Sequence, residues 1–429
     1  MHIFFSGIGG VGIGPAALIA KQAGYDVSGS DMREGQNISD LRKKGIKINI
    51  GQSTANITEL HTKNPIDWFV YSSAITNENE ELIFCQSHGI KTSKRDEFIN
   101  EILSQKQLKL VAVAGTHGKT TTTAMIVWLF KQMGQPISYS VGAKVGNYDM
   151  SMFDGASQFF VYECDEFDRN FLAFRPHLAI ISGLGYDHHE IYPTRENYHQ
   201  AFSKFIDQSQ QVLIWQDDAN KLNMLSNSKV RVEQQDNPTI DAIKLPGLYN
   251  RYDAWLAIRS LRILTDSPLE QLINSINTFP GASRRFEQLA PNLYSDDAHT
   301  PEKIRGCMSV ARELAAKAGQ KIIVLYEPLT NRRMHYTAKD HKDVFEGAAK
   351  IYWLPSYLAR EDADQKILFP SQLIKNLSPD LQKHAEAAKR DENLKNLVQN
   401  HLNNGDLVVA MAGGGSDSLD DWLRQEFEI

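Results

Sequence analysis

Cysteine is scarce in this chain. Cys85, Cys164 and Cys307 are odd in number, far apart and form no C-x-x-C pair. That excludes a disulfide framework and a zinc knuckle, and it predicts buried apolar thiols in a reducing cytosol. Long hydrophobic runs are missing as well. No stretch reaches the ~18 consecutive apolar residues of a membrane-spanning helix, so no membrane partner is expected. Excess positive charge is also lacking. Lys and Arg number 46 against 52 Asp and Glu, a net charge of −6, with both signs mixed along the chain. Without a basic stripe, or basic residues interleaved with aromatics, nucleic acid is excluded as a partner. An anionic substrate must then be held by local groups rather than by the overall field. The opening Met1-His2-Ile3-Phe4-Phe5 has no basic region leading into a long apolar core, which reads as no signal peptide. Repeats and low-complexity tracts are absent.

What is present is organised around one stretch. The 429 residues, 42% hydrophobic, suffice for two or three globular cores. Leu110-Val111-Ala112-Val113-Ala114 reads as a buried parallel strand. The loop Gly115-Thr116-His117-Gly118-Lys119-Thr120-Thr121 follows, then a helical segment at 124–130 that Gly134 stops. Strand, glycine loop and helix in that order make a phosphate cradle. Glycines let backbone N–H groups approach phosphate oxygens, and the helix N-terminus adds positive potential. Lys119 can reach the β- and γ-phosphates of a nucleotide, and the Thr120 hydroxyl can hold Mg²⁺. Val113 stands where the usual G-x-x-x-x-G-K spacing puts its first glycine.

A second glycine turn opens the chain. A strand over 2–6 runs into Gly7-Ile8-Gly9-Gly10-Val11-Gly12, an apolar helix follows, and a strand over 26–30 ends at Asp31, 24 residues after Gly7. The pattern predicts a pyrophosphate at a helix N-terminus with an acid near a ribose or base. Further strands are predicted at 68–71, 159–162, 178–181, 212–215, 322–326, 351–354 and 407–411, and a helix at 79–88. The polar Ser104-Gln105-Lys106-Gln107 reads as a linker. After the strand at 159–162 comes Glu163-Cys164-Asp165-Glu166-Phe167-Asp168. Acids at a strand's C-terminal end beside a phosphate loop suit Mg²⁺, which takes oxygen ligands. Asp187-His188-His189 after the strand at 178–181 is a second candidate cluster.

Gly115-Thr116-x-Gly118-Lys119-Thr120-Thr121 resembles the ATP loop of the Mur ligase family. That resemblance extends over nearly the whole chain. Gly7–Gly12, Ser28–Asp31 and Ser72-Ser73-Ala74-Ile75 look like the first domain of the ligases acting on UDP-N-acetylmuramate. It implies substrate contacts at Gly9, Gly10, Val11, Gly12, Asp31, Ser72, Ser73 and Arg95. Glu163 matches the family's metal-binding glutamate in Glu-Ala-Asp-Glu-Ser-Asp. His188 matches the histidine of Thr-Asn-Ile-x-x-Asp-His, a ligand of a second Mg²⁺, while Gly183 stands in place of its asparagine. Thr120, Glu163 and His188 are thus the implied metal ligands. Pro246-Gly247-Leu248-Tyr249-Asn250 resembles the adenine-pocket motif, with Tyr249 for a histidine and Asp253 for an asparagine. Gly281-Ala282-Ser283-Arg284-Arg285-Phe286-Glu287 resembles the end of the central domain, with Arg285 the clamp on ATP phosphate. Ser295-Asp296-Asp297-Ala298-His299-Thr300-Pro301 resembles Asp-Tyr-Ala-His-x-Pro, which implies Asp296 at the nucleotide and His299 on the substrate side of that face, with Asp297 for the tyrosine. The family's Gln-Pro-His-x-Tyr-Ser-Arg is poorly kept at 327–333. Gly413-Gly414-Gly415-Ser416-Asp417 reads equally as a substrate contact and as a plain strand-to-helix turn.

The resemblance implies three α/β domains: a Rossmann-like UDP-sugar domain at 1–104, a central phosphate-loop ATPase domain at 105–287 and a Rossmann-like ligase domain at 288–429. It implies a bacterial cytoplasmic enzyme, a monomer or weak homodimer, that uses ATP and Mg²⁺ to form an amide through an acyl phosphate. Lys119, Glu163, His188 and Arg285 are its expected catalytic groups. The glycine turn and Ser72–Ile75 point to UDP-N-acetylmuramate and L-alanine as substrates. Phe167 points instead to the ligase adding a preformed tripeptide in wall recycling. The first glycine turn alone would suit an NAD-linked oxidoreductase. The departures at Gly183, Tyr249, Asp253 and Leu329 would suit a non-catalytic nucleotide-binding regulator.

Overall fold

Each of the three expected α/β layers carries its own sheet. The computed structural model describes residues 1–10, 12–72, 74–188, 191–358, 364–414 and 417–427. Val11, Ser73, His189 and the Gly415-Ser416 pair therefore lie outside the described residues.

The first sheet has β1 (His2–Ser6), β2 (Asp26–Asp31), β3 (Lys47–Ile50), β4 (Trp68–Tyr71) and β5 (Lys91–Lys94). Its order is β3-β2-β1-β4-β5, all parallel. A helix follows each strand, as parallel crossovers require. The order reverses between β1 and β4, and in such sheets ligands bind at the carboxyl ends beside that reversal. Gly7 and Ser72, at the ends of these two strands, meet there.

The second sheet holds β6 (Lys109–Ala114), β7 (Ser138–Ser140), β8 (Ser151–Met152), β9 (Phe159–Glu163), β10 (Leu178–Ile181), β11 (Gln211–Trp215) and β12 (Val230–Glu233), in the order β12-β11-β10-β6-β9-β7-β8. Strand β6 lies between β10 and β9, with Ala114 opposite Ile181 and Val113 opposite Glu163. That register ends three strands at one edge and puts the glycine loop, the acid cluster and the Asp187-His188 turn side by side. Strands β6 and β10 are buried along almost their whole length, as continuous apolar runs in a parallel sheet predict.

The third sheet contains β13 (Glu287–Ala290), β14 (Leu293–Asp296), β15 (Ile322–Glu327), β16 (Ala348–Trp353), β17 (Ala385–Ala387) and β18 (Leu407–Ala412), in the order β13-β14-β18-β15-β16-β17. Apolar clusters cover both of its faces.

By internal contacts the chain forms two compact units, Met1–Pro238 with Ala254–Thr278, and Thr239–Asp253 with Phe279–Ile429. The first unit holds the first two sheets, whose apolar residues join one cluster containing Ile3, Phe98, Ala112 and Ile181. The second holds the third sheet together with 239–253 and 279–287, which the sequence had assigned to the central domain. The expected linker at 104–107 falls half in a helix, and Lys106-Gln107 lead from that helix to β6. Ser104 and Gln105 end the helix Arg95–Gln105, whose Ile102 and Leu103 are buried, so the polar residues are its exposed last turn. The three cysteines are free and buried. Among the described residues no helix is long and apolar enough to cross a membrane.

Candidate active site

The loop after β6 is shaped by two glycines. Gly115 has φ +146°, and a Cβ there would stand 2.6 Å from Ser182 Oγ and 2.8 Å from the Gly183 carbonyl. Gly118, at φ +76°, precedes the helix Lys119–Gln132, and no side chain caps that helix. Both positions need a residue without a Cβ. Thr116 N–H donates to the Gly183 carbonyl at 2.8 Å, and Thr116 Oγ1 lies 2.7 Å from the Tyr198 hydroxyl. The ring of His117 occupies the space above Gly183, where a Cβ would meet it at 2.0 Å. Thr121 lies partly exposed in the first turn of the helix.

Lys119 Nζ donates to the Gly115 carbonyl at 2.6 Å and to Glu166 Oε2 at 2.9 Å. Burial works against its charge, but the Glu166, Asp165 and Glu163 carboxylates raise its pKa above the ordinary lysine value. Glu166 is fully buried. It also accepts from the Tyr198 hydroxyl at 3.3 Å, and its carbonyl accepts from the Tyr192 hydroxyl at 2.7 Å. Thr120 Oγ1 donates to Glu163 Oε1 at 2.8 Å, and Gly142 N–H donates to Glu163 Oε2 at 2.7 Å. A separate group forms where ligand atoms of Asp165, Glu166 and His188 all lie within 4.8 Å of one another. The three implied metal ligands are thus divided: Thr120 pairs with Glu163, while His188 joins Asp165 and Glu166. Asp168 is exposed, because it and Arg169 turn out through left-handed φ of 53° and 59°. The Phe167 ring meets His188 edge-on at 5.2 Å.

Sequence reasoning missed Tyr192 and Tyr198, which hold Glu166 and the loop. Their only signal was an aromatic pair after Asp187-His188, and that could not be told from ordinary core.

Around the first glycine turn, Gly9 N–H donates to Asp31 Oδ2 at 2.8 Å. A Cβ at Gly7 would lie 3.2 Å from Ser72 Cβ, and one at Gly12 would lie 2.3 Å from Arg95 Nη1. Gly10 N–H closes the turn onto the Gly7 carbonyl at 3.1 Å. The expected substrate contacts that are described in this unit, Gly9, Gly10, Gly12, Asp31, Ser72 and Arg95, therefore gather at one sheet edge. Sequence reasoning missed Glu81 beneath them. It is buried, accepts from the Ser6 and Ser30 hydroxyls at 2.6 Å each, and is pushed up in pKa by that burial.

The second unit carries the remaining candidates. Asn250 Nδ2 donates to the Pro246 carbonyl at 2.8 Å, so it caps its own turn, and Tyr249 is 44% exposed. Asp297 is the hub of a charged cluster. Arg285, Arg284, His299 and Lys303 all lie within 4.0 Å of its carboxylate. Burial opposes its charge, but Arg285, His299, Lys303 and Arg284 hold it well below the usual carboxylate range. Burial pushes neighbouring Asp296 up to about 6, although Arg285 and the Phe286 N–H pull the other way. His299 Nδ1 lies 2.7 Å from the Asp297 carbonyl.

A buried strand, a glycine loop, an uncapped helix and a lysine folded back over that loop define the chain as a phosphate-loop α/β protein. Residues 2–107 match the Mur ligase family catalytic domain, and 113–242 match the Mur ligase middle domain. The chain belongs to the Mur ligase family. It is 30% identical to UDP-N-acetylmuramate–L-alanine ligase of Alkaliphilus metalliredigens over 96% of this chain and 95% of that one. Identity to the Rickettsia bellii ligase of the same name is 28%, over 99% and 96%. Among solved structures, UDP-N-acetylmuramate-alanine ligase of Thermotoga maritima superposes with a TM-score of 0.78 at 22% identity, covering 100% of this chain and 98% of that one. A murein peptide ligase from Psychrobacter arcticus superposes with a TM-score of 0.67 at 19% identity, over 100% and 98%.

Proposed function

We propose that this chain is the ATP-dependent ligase that joins L-alanine to the lactyl carboxylate of UDP-N-acetylmuramate, in bacterial peptidoglycan precursor synthesis. The reading rests on end-to-end similarity to ligases of that name together with the loop geometry around Lys119. In this reading the γ-phosphoryl of ATP passes to the carboxylate, and the amine then displaces phosphate to leave the amide. Gly115, Thr116, His117, Gly118, Lys119, Thr120 and Thr121 hold the phosphates, and Lys119 offsets the charge that gathers on the oxygens in transfer. The family resemblance assigns Tyr249 and Asn250 to the base, Arg285 and Asp296 to the nucleotide, and His299 to the substrate. The first sheet's turn takes the UDP-sugar and the third sheet's domain the amine.

The donor sets fit Mg²⁺. A hydroxyl with a carboxylate at Thr120–Glu163, and two carboxylates with an imidazole at Asp165–Glu166–His188, offer the oxygen-rich surroundings a hard divalent cation takes. Bound there, Mg²⁺ would supply charge neutralisation on the transferring phosphoryl group. Tyr198 and Tyr192 keep Glu166 in place.

One observation favours a second reading. Phe167 packs edge-on against His188 where the L-alanine ligases carry serine, which gives this wall of the site an aromatic surface as in the tripeptide-adding enzyme. A competition separates the two. With UDP-N-acetylmuramate and ATP, products are read by mass after incubation with L-alanine, glycine, L-serine or L-Ala-γ-D-Glu-diaminopimelate. The L-alanine adduct should dominate, with phosphate release requiring both sugar nucleotide and amine. Predominant tripeptide adduct would transfer the chain to the recycling reaction. No phosphate release with any amine would leave only a nucleotide-binding protein.

A further inference from the structure

Arg95 commits one edge of its guanidinium and presents the other. Its Nε and Nη2 donate to Asp96 Oδ1 and Oδ2 at 2.9 and 3.1 Å. Adjacent positions on a helix do not normally face each other. Here a third group fixes the pair: the Tyr162 hydroxyl donates to Asp96 Oδ1 at 2.9 Å, and both Tyr162 and Asp96 are buried. Tyr162 packs against Phe174 and immediately precedes Glu163 on β9, which ties it to the strand that carries the acid cluster.

The free edge has a direction. Arg95 Nη1 lies where a Cβ on Gly12 would be, 2.3 Å away. Gly12 begins the helix Ile13–Gln22, which has no side-chain cap and no acid in its first turn. A guanidinium held against an uncapped helix N-terminus brings two positive potentials together, and an anion seated there relieves both. A planar fork already pinned along one edge meets such an anion with less loss of side-chain freedom than a free arginine.

We propose that Asp96 and Tyr162 are positioning residues that aim the Nη1 edge of Arg95 at the diphosphate of the sugar nucleotide on the turn at 7–12. The proposal rests on the UDP-sugar reading of that turn. It adds a chain of contacts from β9 to the diphosphate that neither the glycine pattern nor the arginine alone contains.

The test is direct binding without ATP. UDP-N-acetylmuramate is titrated by calorimetry into the parent, Asp96→Asn, Tyr162→Phe, Arg95→Ala and the Arg95→Ala/Asp96→Asn double variant. Asp96→Asn should weaken binding about tenfold, the scale of one hydrogen bond to a charged group, and Tyr162→Phe by less. In the double variant the loss should be no greater than in Arg95→Ala alone, because Asp96 acts only through Arg95. KM for ATP should stay at the parent value in Asp96→Asn and Tyr162→Phe. An additive loss in the double variant, or equal binding by the parent and Asp96→Asn, overturns the positioning role. A parent that binds no UDP-sugar overturns the reading of the turn itself and this role with it. If Asp96→Asn does not fold, Tyr162→Phe, which removes one oxygen and keeps the ring, decides the question alone.

Discussion

Lys119→Ala should lower ATP-dependent ligation by about three orders of magnitude or more, the largest effect expected from any single change in this chain. The lysine is the cation folded onto the phosphate loop, and no other basic side chain bonds to the Gly115 carbonyl among the described contacts. The change should also reduce stability, for a reason separate from catalysis. Its ammonium is the partner of Glu166, whose side chain is fully buried, and removing one member of such a pair leaves an uncompensated charge. Breaking a buried pair in this way costs about 3 kcal/mol. The two effects separate in Lys119→Ala/Glu166→Gln, where the second change removes the stranded charge. Thermal melting should recover much of its loss in the double variant, while phosphate release stays at the level of the single one. Parent-level turnover in folded Lys119→Ala would remove the loop from the mechanism.

Glu163→Ala is expected to be next in effect, slowing turnover by about a hundredfold or more and shifting the Mg²⁺ dependence to higher concentration. Glu163 receives both the Thr120 hydroxyl and the Gly142 N–H, so its carboxylate is held at a fixed place beside the loop. His188→Ala should shift the Mg²⁺ curve less, because Asp165 and Glu166 remain in its group. The measurement is phosphate release against Mg²⁺ concentration, with circular dichroism to show that each variant folds. Curves from both variants that overlay the parent's would reduce the acids to a solvated turn.

Most of the strand framework was legible because parallel strands buried on both faces read as unbroken apolar runs, as at Leu110–Ala114 and Leu178–Ile181. Several strands escaped, among them two short polar ones: Lys47–Ile50 has one buried residue in four, and Ala385–Ala387 has none. These two are edge strands, whose place is set by pairing rather than by their own composition. The phosphate loop was legible from glycine spacing, since backbone shape dictates glycine there. The division of the metal candidates into two groups was not, because it depends on which way each carboxylate leaves β9. Glu163 turns to Thr120 and Gly142, and Glu166 turns to Lys119 and Tyr198. Asp297 was visible only as a departure from the family's tyrosine, and its role as a charge hub needed Arg284, Arg285, His299 and Lys303 to be brought around it. The Asp96–Tyr162 contact joins residues 66 apart in the chain, and no local pattern announces it.

The close approach of His117 to Gly183 bears on how this chain can be engineered. Restoring the family's asparagine at 183 would ordinarily count as a consensus improvement. Here the first atom of any new side chain would stand 2.0 Å from the imidazole, so the ring would have to leave its place above the loop before the asparagine could enter. The two positions are therefore coupled, and the effect of a residue at 183 depends on where the side chain at 117 can go.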